Sequence, residues 1–141
     1  MPGMSQADIE ILRDQYEAVN ERDWKRAMSH YAEDVVLSVP PGETGLNAFE
    51  PGTVEGKEAV GAWFGDWFGT FERDYRFVIE EIEDLGGVIF MRASHGGHGR
   101  LSGAAVHGEN AYLYRLREGK IVWLGFYGTR EEALAAAEAE A

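Results

Sequence analysis

The chain has 141 residues, no cysteine, and 25 acidic against 13 basic side chains, for a net charge of −12. That length suits one domain, residues 1–141, able to bury roughly 70% of the surface its unfolded chain exposes. Without cysteine, disulfides and thiolate chemistry are excluded, and so acidic a surface repels nucleic-acid phosphates and anionic membranes. No stretch is apolar for long enough to span a bilayer, and no basic segment followed by an apolar core opens the chain. A cytoplasmic protein with no nucleic-acid and no membrane partner is expected.

A first helix starts at Ser5, where Ser5-x-x-Asp8 is a capping-box-like signal. Ile9, Leu12, Tyr16 and Val19 recur at helical spacing and form one apolar stripe. Residues 20–22 break it, and Asp23 caps a short second helix, with Trp24, Ala27, Met28 and Tyr31 as its stripe and an end near Ala32. Asp34 to Val39 reads as a first strand, stopped by Pro40-Pro41-Gly42. An irregular loop follows to Glu55, long enough to be a lid or binding loop, with Leu46 and Phe49 as apolar contacts.

Gly56 to Phe71 is the clearest helix. Val60, Trp63, Phe64, Trp67, Phe68 and Phe71 make a broad apolar face. Gly61, Gly65 and Gly69 share one row, which predicts either close approach of another backbone or room beside the two tryptophans. Extended runs come next. Tyr75, Phe77 and Ile79 alternate, but Ile82 falls out of phase, so a bulge near Glu80-Glu81 is expected. Gly86-Gly87 turns the chain into Val88 to His95, and the glycines from Gly96 to Gly103 are expected to loosen that strand's end.

The run from Ala104 to Tyr127 predicts a hairpin around Glu118-Gly119, since glycine readily supplies a positive φ. Asn110, Tyr112, Tyr114 and Leu116 fall on one face, and Ala111, Leu113, Arg115 and Arg117 on the other. Thr129-x-x-Glu132 caps a terminal alanine-rich helix. Two helices, a strand, a loop, a helix, four strands and a helix predict an α+β fold, an antiparallel meander with the early helices on one face.

Several landmarks then line up: Tyr31-Ala32-Glu33-Asp34-Val35-Val36 after two helices, Glu55-Gly56-Lys57-Glu58-Ala59-Val60 opening the third, Tyr114 to Ile121 across the hairpin, and Arg130-Glu131-Glu132-Ala133-Leu134 at the end. The chain resembles the SnoaL-like branch of the nuclear transport factor 2-like superfamily over nearly its whole length. The resemblance implies a curved antiparallel sheet forming a cone around three N-terminal helices, with a short C-terminal helix and a pocket at the wide end. Members include polyketide cyclases, ketosteroid isomerases, epoxide hydrolases and proteins without chemistry, so fold alone does not choose among them. Many relatives carry an acid on the last strand near the positions of Phe126 or Thr129; this chain has none there. Asp34 matches a widespread landmark whose role is often structural.

Four residues are candidate catalytic groups: His95, His98, Asp34 and Arg92. A histidine at a strand end near a pocket mouth can serve as a base near neutral pH. Alternation sets His95 and His98 on opposite faces, so at most one is expected to face inward. Arg92, in phase with Val88 and Phe90, is either an inward arginine paired with Asp34 or another acid, or a solvated one. The aromatic residues Tyr16, Trp24, Tyr31, Trp63, Trp67, Tyr112, Tyr114 and Phe126 are candidate walls for a small apolar molecule, with tyrosine hydroxyls able to hold a carbonyl or enolate. Ala111, Leu113 and Trp123 suggest an apolar outer sheet face, and the resemblance implies a homodimer through it. Neither a nucleotide-binding loop nor a metal set is expected: the glycines around His95 do not lead into a helix, and the two histidines lack the spacing and the third ligand. Two readings follow. One is a cofactor-free cyclase, isomerase or hydrolase acting on an apolar carbonyl compound; the other is a non-catalytic binding or dimerisation module.

Overall fold

A computed structural model describes residues 2–39 and 52–140. Its helices and strands in chain order are α1 (Pro2–Asn20), α2 (Trp24–Met28), β1 (Tyr31–Val39), β2 (Gly52–Glu55), α3 (Lys57–Gly69), β3 (Arg76–Asp84), β4 (Ile89–His98), β5 (Ala105–Arg117), β6 (Lys120–Tyr127) and α4 (Arg130–Glu140). The six strands form one open sheet in the order β2-β1-β6-β5-β4-β3. It is mixed rather than wholly antiparallel, because β1 pairs parallel with β6. That pairing joins two strands far apart in sequence, and local alternation carries no signal for it. The expected loop up to Glu55 is also revised: Gly52–Glu55 pairs antiparallel with Val36–Val39 of β1. Its earlier part, with Leu46 and Phe49, lies outside the described residues.

The hairpin forms where turn chemistry placed it. Glu118 and Gly119 both have positive φ, 52° and 77°, which matches the right-handed twist of the flanking strands. The expected bulge in β3 is a register shift between Ile79 and Glu81 opposite β4. The second helix is shorter than its stripe suggested. It stops at Met28, so that Tyr31 opens β1 instead. Asp23 caps it by accepting from the Arg26 amide at 3.2 Å.

Two layers of helix sandwich the sheet. On one face, Leu12 and Tyr16 of α1 pack with Leu37, Met91, Tyr112, Tyr114 and Leu124, and Trp63, Phe64 and Trp67 of α3 lean against the same cluster. Leu12, Leu37 and Leu124 are essentially fully buried, and each such side chain contributes about 1.5–3 kcal/mol of burial free energy. Asn20 at the end of α1 closes on β3, donating to Phe77 O and accepting from Phe77 N, both at 2.9 Å. These bonds tie the helix to the edge strand of the sheet. On the other face, Ala133 and Ala137 of α4 cover Val88, Phe90, Ala111 and Leu113. The apolar outer face expected to be open is therefore occupied: Ala111 and Leu113 are buried. The start of α4 is held by the predicted box, with Thr129 Oγ1 accepting from the Glu132 amide at 3.1 Å. No helix among the described residues is long and apolar enough to cross a membrane.

Candidate functional site

Between α1, α3 and the concave side of the hairpin lies a narrow cavity of about 40 Å³, room for a few waters. Its walls are aromatic because two helices and four strands each send apolar side chains there. Helix α1 supplies Tyr16, α3 supplies Trp63, Phe64 and Trp67, and the strands supply Tyr31, Phe77, Tyr112, Tyr114 and Phe126. Trp63 lies 5.2 Å from Phe126, and Tyr112 meets both Tyr16 and Phe126 edge-on.

One polar chain crosses this apolar space. Trp67 Nε1 donates to the Tyr75 hydroxyl at 3.2 Å. The same hydroxyl lies 2.8 Å from His95 Nδ1, and His95 Nε2 lies 2.8 Å from Asn110 Oδ1. Indole nitrogen can only donate. Tyr75 thus accepts from Trp67 and gives its own proton to Nδ1, which leaves Nε2–H to donate to Asn110. Every bond in the chain then runs in one direction, and His95 is a neutral Nε2–H imidazole. Burial pushes its pKa below the ordinary histidine value, partly opposed by the bond to Asn110 and reinforced by His107. Burial likewise raises the Tyr75 hydroxyl well above the ordinary tyrosine range.

Two glycines make this arrangement possible. A Cβ on Gly108, which faces His95 across the β4–β5 ladder, would sit 2.8 Å from the imidazole ring. One on Gly97 would sit 2.5 Å from the Tyr75 Cα. The glycines after His95 therefore do not loosen the strand. β4 stays paired through His98, opposite Ala105, and Gly97 lets the backbone at Tyr75 close in. In α3, a Cβ on Gly61 would meet the Met28 side chain at 3.3 Å, whereas one on Gly65 or Gly69 would meet none of the described residues within 4 Å.

A second polar pair lies on the same wall: Gln15 Nε2 donates to the Tyr31 hydroxyl at 3.0 Å. Nearby, the Tyr16 and Tyr114 hydroxyls are 2.6 Å apart. Burial raises both of these phenols far above the ordinary range, and the second hydroxyl adds to the effect on Tyr16.

Of the candidate catalytic residues, His95 alone lines the cavity. His98 points to the opposite, exposed side, as alternation required, where Nδ1 bonds Asp74 and that carboxylate raises the imidazole pKa. Arg92 lies on the outer face and pairs with Glu81 at 3.3 Å and Glu109 at 3.0 Å. Glu81 also takes Arg130 of α4 at 3.1 Å, which fastens the terminal helix to the sheet. Asp34 is exposed and pairs with Arg117 at 3.2 Å. Seven of the eight aromatic candidates line the cavity; Trp24 does not, being partly exposed and packed on Phe68 at 5.1 Å. The polar lining residues missed were Gln15, Tyr75 and Asn110. Each had a signal: Gln15 interrupts the α1 stripe between Leu12 and Val19, Asn110 is in phase with Tyr112 and Tyr114, and Tyr75 opens the Phe77 alternation. Among the described residues, one group has metal-ligand types together, Glu72, Asp74 and His98, all exposed and outside the cavity.

The fold has many solved relatives. A Mycobacterium tuberculosis protein, RV0760c, solved with estradiol-17beta-hemisuccinate, is 19% identical with a TM-score of 0.72, over 89% of this chain and 95% of that one. TerC, co-crystallised with polyporic acid, is 17% identical with a TM-score of 0.71, over 94% and 96% of the two chains. A Catenulispora acidiphila protein of ketosteroid isomerase-like fold, solved with trimethylamine, is 19% identical with a TM-score of 0.69, over 89% and 90%. At these identities the likeness is one of fold. No curated protein matches the sequence. Residues 12–124, from the first helix stripe to the last strand, match the SnoaL-like domain, and the chain belongs to that family of the nuclear transport factor 2-like superfamily.

Proposed function

We propose that the protein binds a small, largely apolar, carbonyl-bearing molecule in the aromatic cavity and moves a proton on it with Tyr75 and His95, in the manner of an isomerase or cyclase. The observation that carries this reading is the position of His95. It is the one imidazole in the cavity, neutral, with a tyrosine hydroxyl 2.8 Å from Nδ1. A carbon acid next to the substrate carbonyl would give its proton to the Tyr75 oxygen as the Tyr75 proton passes to Nδ1. The imidazolium formed is held by Asn110 Oδ1, and reversal of the relay returns the proton to a different atom. A pKa below the ordinary value keeps His95 in its basic form at neutral pH.

A second reading has an observation of its own. Among the described residues no carboxylate lines the cavity, and both His95 nitrogens are already bonded to protein. That favours a non-catalytic binding module. Because the free volume is small, any ring-bearing ligand must displace side chains, and Trp63 and Trp67, only partly buried, are the ones placed to move.

A thermal-shift screen separates the two. The panel is polyporic acid, estradiol-17beta-hemisuccinate and simple bicyclic ketones, with turnover of any binder followed by NMR. Ligand at one hundred times its Kd stabilises by about 2.7 kcal/mol, a readable rise in Tm. For the catalytic reading, His95→Gln lowers turnover about 100-fold or more while Kd stays within about tenfold. Binding with no turnover by the wild type selects the binding module, and no binder at all refutes both.

A further inference from the structure

The cavity holds two polar atoms with no hydrogen-bond partner among the described residues, Asn110 Nδ2 and Gln15 Oε1. Their side chains are nearly inaccessible, at 2% and 3% exposure. Buried polar atoms in folded proteins are almost always paired, with protein, water or ligand. Both atoms belong to amides whose other end is already committed. Asn110 Oδ1 takes the His95 Nε2–H, and Gln15 Nε2 goes to the Tyr31 hydroxyl. The direction of the Trp67–Tyr75–His95 chain decides which end of Asn110 is free. Turning the amide over would leave the Tyr75 hydroxyl with two donors pointing at it and no acceptor for its own proton. The free end is therefore the NH₂ group, a donor. At Gln15 the free end is a carbonyl oxygen, an acceptor.

The rest of the wall is Val19, His95 and aromatic side chains, whose tyrosine hydroxyls can turn to donate or accept. The two amide ends are the buried polar atoms left without a partner among the described residues, and together they define a ligand by its functional groups. We propose that the cavity is built for a hydroxy-carbonyl compound, whose carbonyl oxygen accepts from Asn110 Nδ2 and whose hydroxyl donates to Gln15 Oε1. This deepens, and rests on, the reading of the cavity as a small-molecule site. A ligand that enters without making both bonds leaves a buried polar atom unpaired. The same donor would face the oxygen on which charge develops if the carbonyl becomes an enolate.

The test is a matched set measured by titration calorimetry: tetralin, with neither group; tetralone, with the carbonyl; tetrahydronaphthol, with the hydroxyl; and ring-hydroxylated tetralones with both, at different spacings. One hydroxytetralone isomer is expected to bind at least about tenfold more tightly than either single-function compound. Gln15→Leu should abolish the advantage of the hydroxyl and keep that of the carbonyl. Asn110→Asp keeps an acceptor for His95 Nε2–H while removing the donor, and should abolish the advantage of the carbonyl and keep that of the hydroxyl. Both variants are to be compared at matched Tm. Equal affinities across the set would overturn the paired-amide proposal while leaving the cavity a binding site. Failure of every compound to bind, including tetralin, would overturn the binding reading as well.

Discussion

His95 is held by what surrounds it more than by its own strand. The imidazole is clamped between Tyr75 and Asn110 at 2.8 Å on each side and lies over Gly108, where a Cβ would come within 2.8 Å of the ring. Gly108→Ala should push the ring off Asn110 and cost about 1–3 kcal/mol, the usual range for overpacking. Gly97→Ala should cost more, because its Cβ would meet the Tyr75 backbone at 2.5 Å rather than a side chain. Denaturant midpoints of the two variants against wild type check the order; a Gly97→Ala protein as stable as wild type would show that the strand can yield there. The opposite faces of His95 and His98 were legible from alternation, and so was the place of Asn110 beside Tyr112 and Tyr114. What the sequence could not show was that Asn110 carries the free donor. That depends on Trp67 and Tyr75, which come from a helix and a strand start far from it in the chain.

At the scale of elements, the terminal helix decides what the back of the sheet can do. α4 buries Val88, Phe90, Ala111 and Leu113 beneath Ala133 and Ala137, and its Arg130 is tied to Glu81. Ending the chain after Gly128 would expose that apolar patch. The shortened protein should melt several degrees lower and associate, as size-exclusion chromatography with light scattering would detect; an unchanged, monodisperse elution volume and Tm would mean that α4 contributes little. The helix was legible from its capping box, yet its docking site was not, because alternation marks Ala111 and Leu113 as a shared face without saying what covers it. Helix α3 was readable for the same local reason as the hairpin: the apolar spacing and the Glu118-Gly119 turn are encoded within a few residues.

For the whole molecule, the helices on one face and the hairpin beside them enclose the aromatic cavity and the polar chain that crosses it. The parallel β1–β6 pairing brings Tyr31 and Phe126 to that space, and this long-range junction is the part of the fold that no local pattern encodes. Partial burial lowers the His95 pKa, and a proton-linked consequence follows. A histidine whose pKa is lowered by folding binds its proton more readily in the unfolded chain. Its environment therefore costs stability as pH falls from the ordinary histidine value, about 6.5, through the folded value. Above that range the effect vanishes. His98 is opposite in sign: Asp74 raises its pKa, so its contribution is full in acid and is lost as pH rises through the folded value. The decisive measurement is a long-range proton–nitrogen NMR titration of the histidine rings, with and without a bound ketone. His95 should be the Nε2–H tautomer, titrate below about 6.5, and respond to the ketone. A value above that, the opposite tautomer, or indifference to a bound ketone would contradict the assignment of His95 to a small-molecule site.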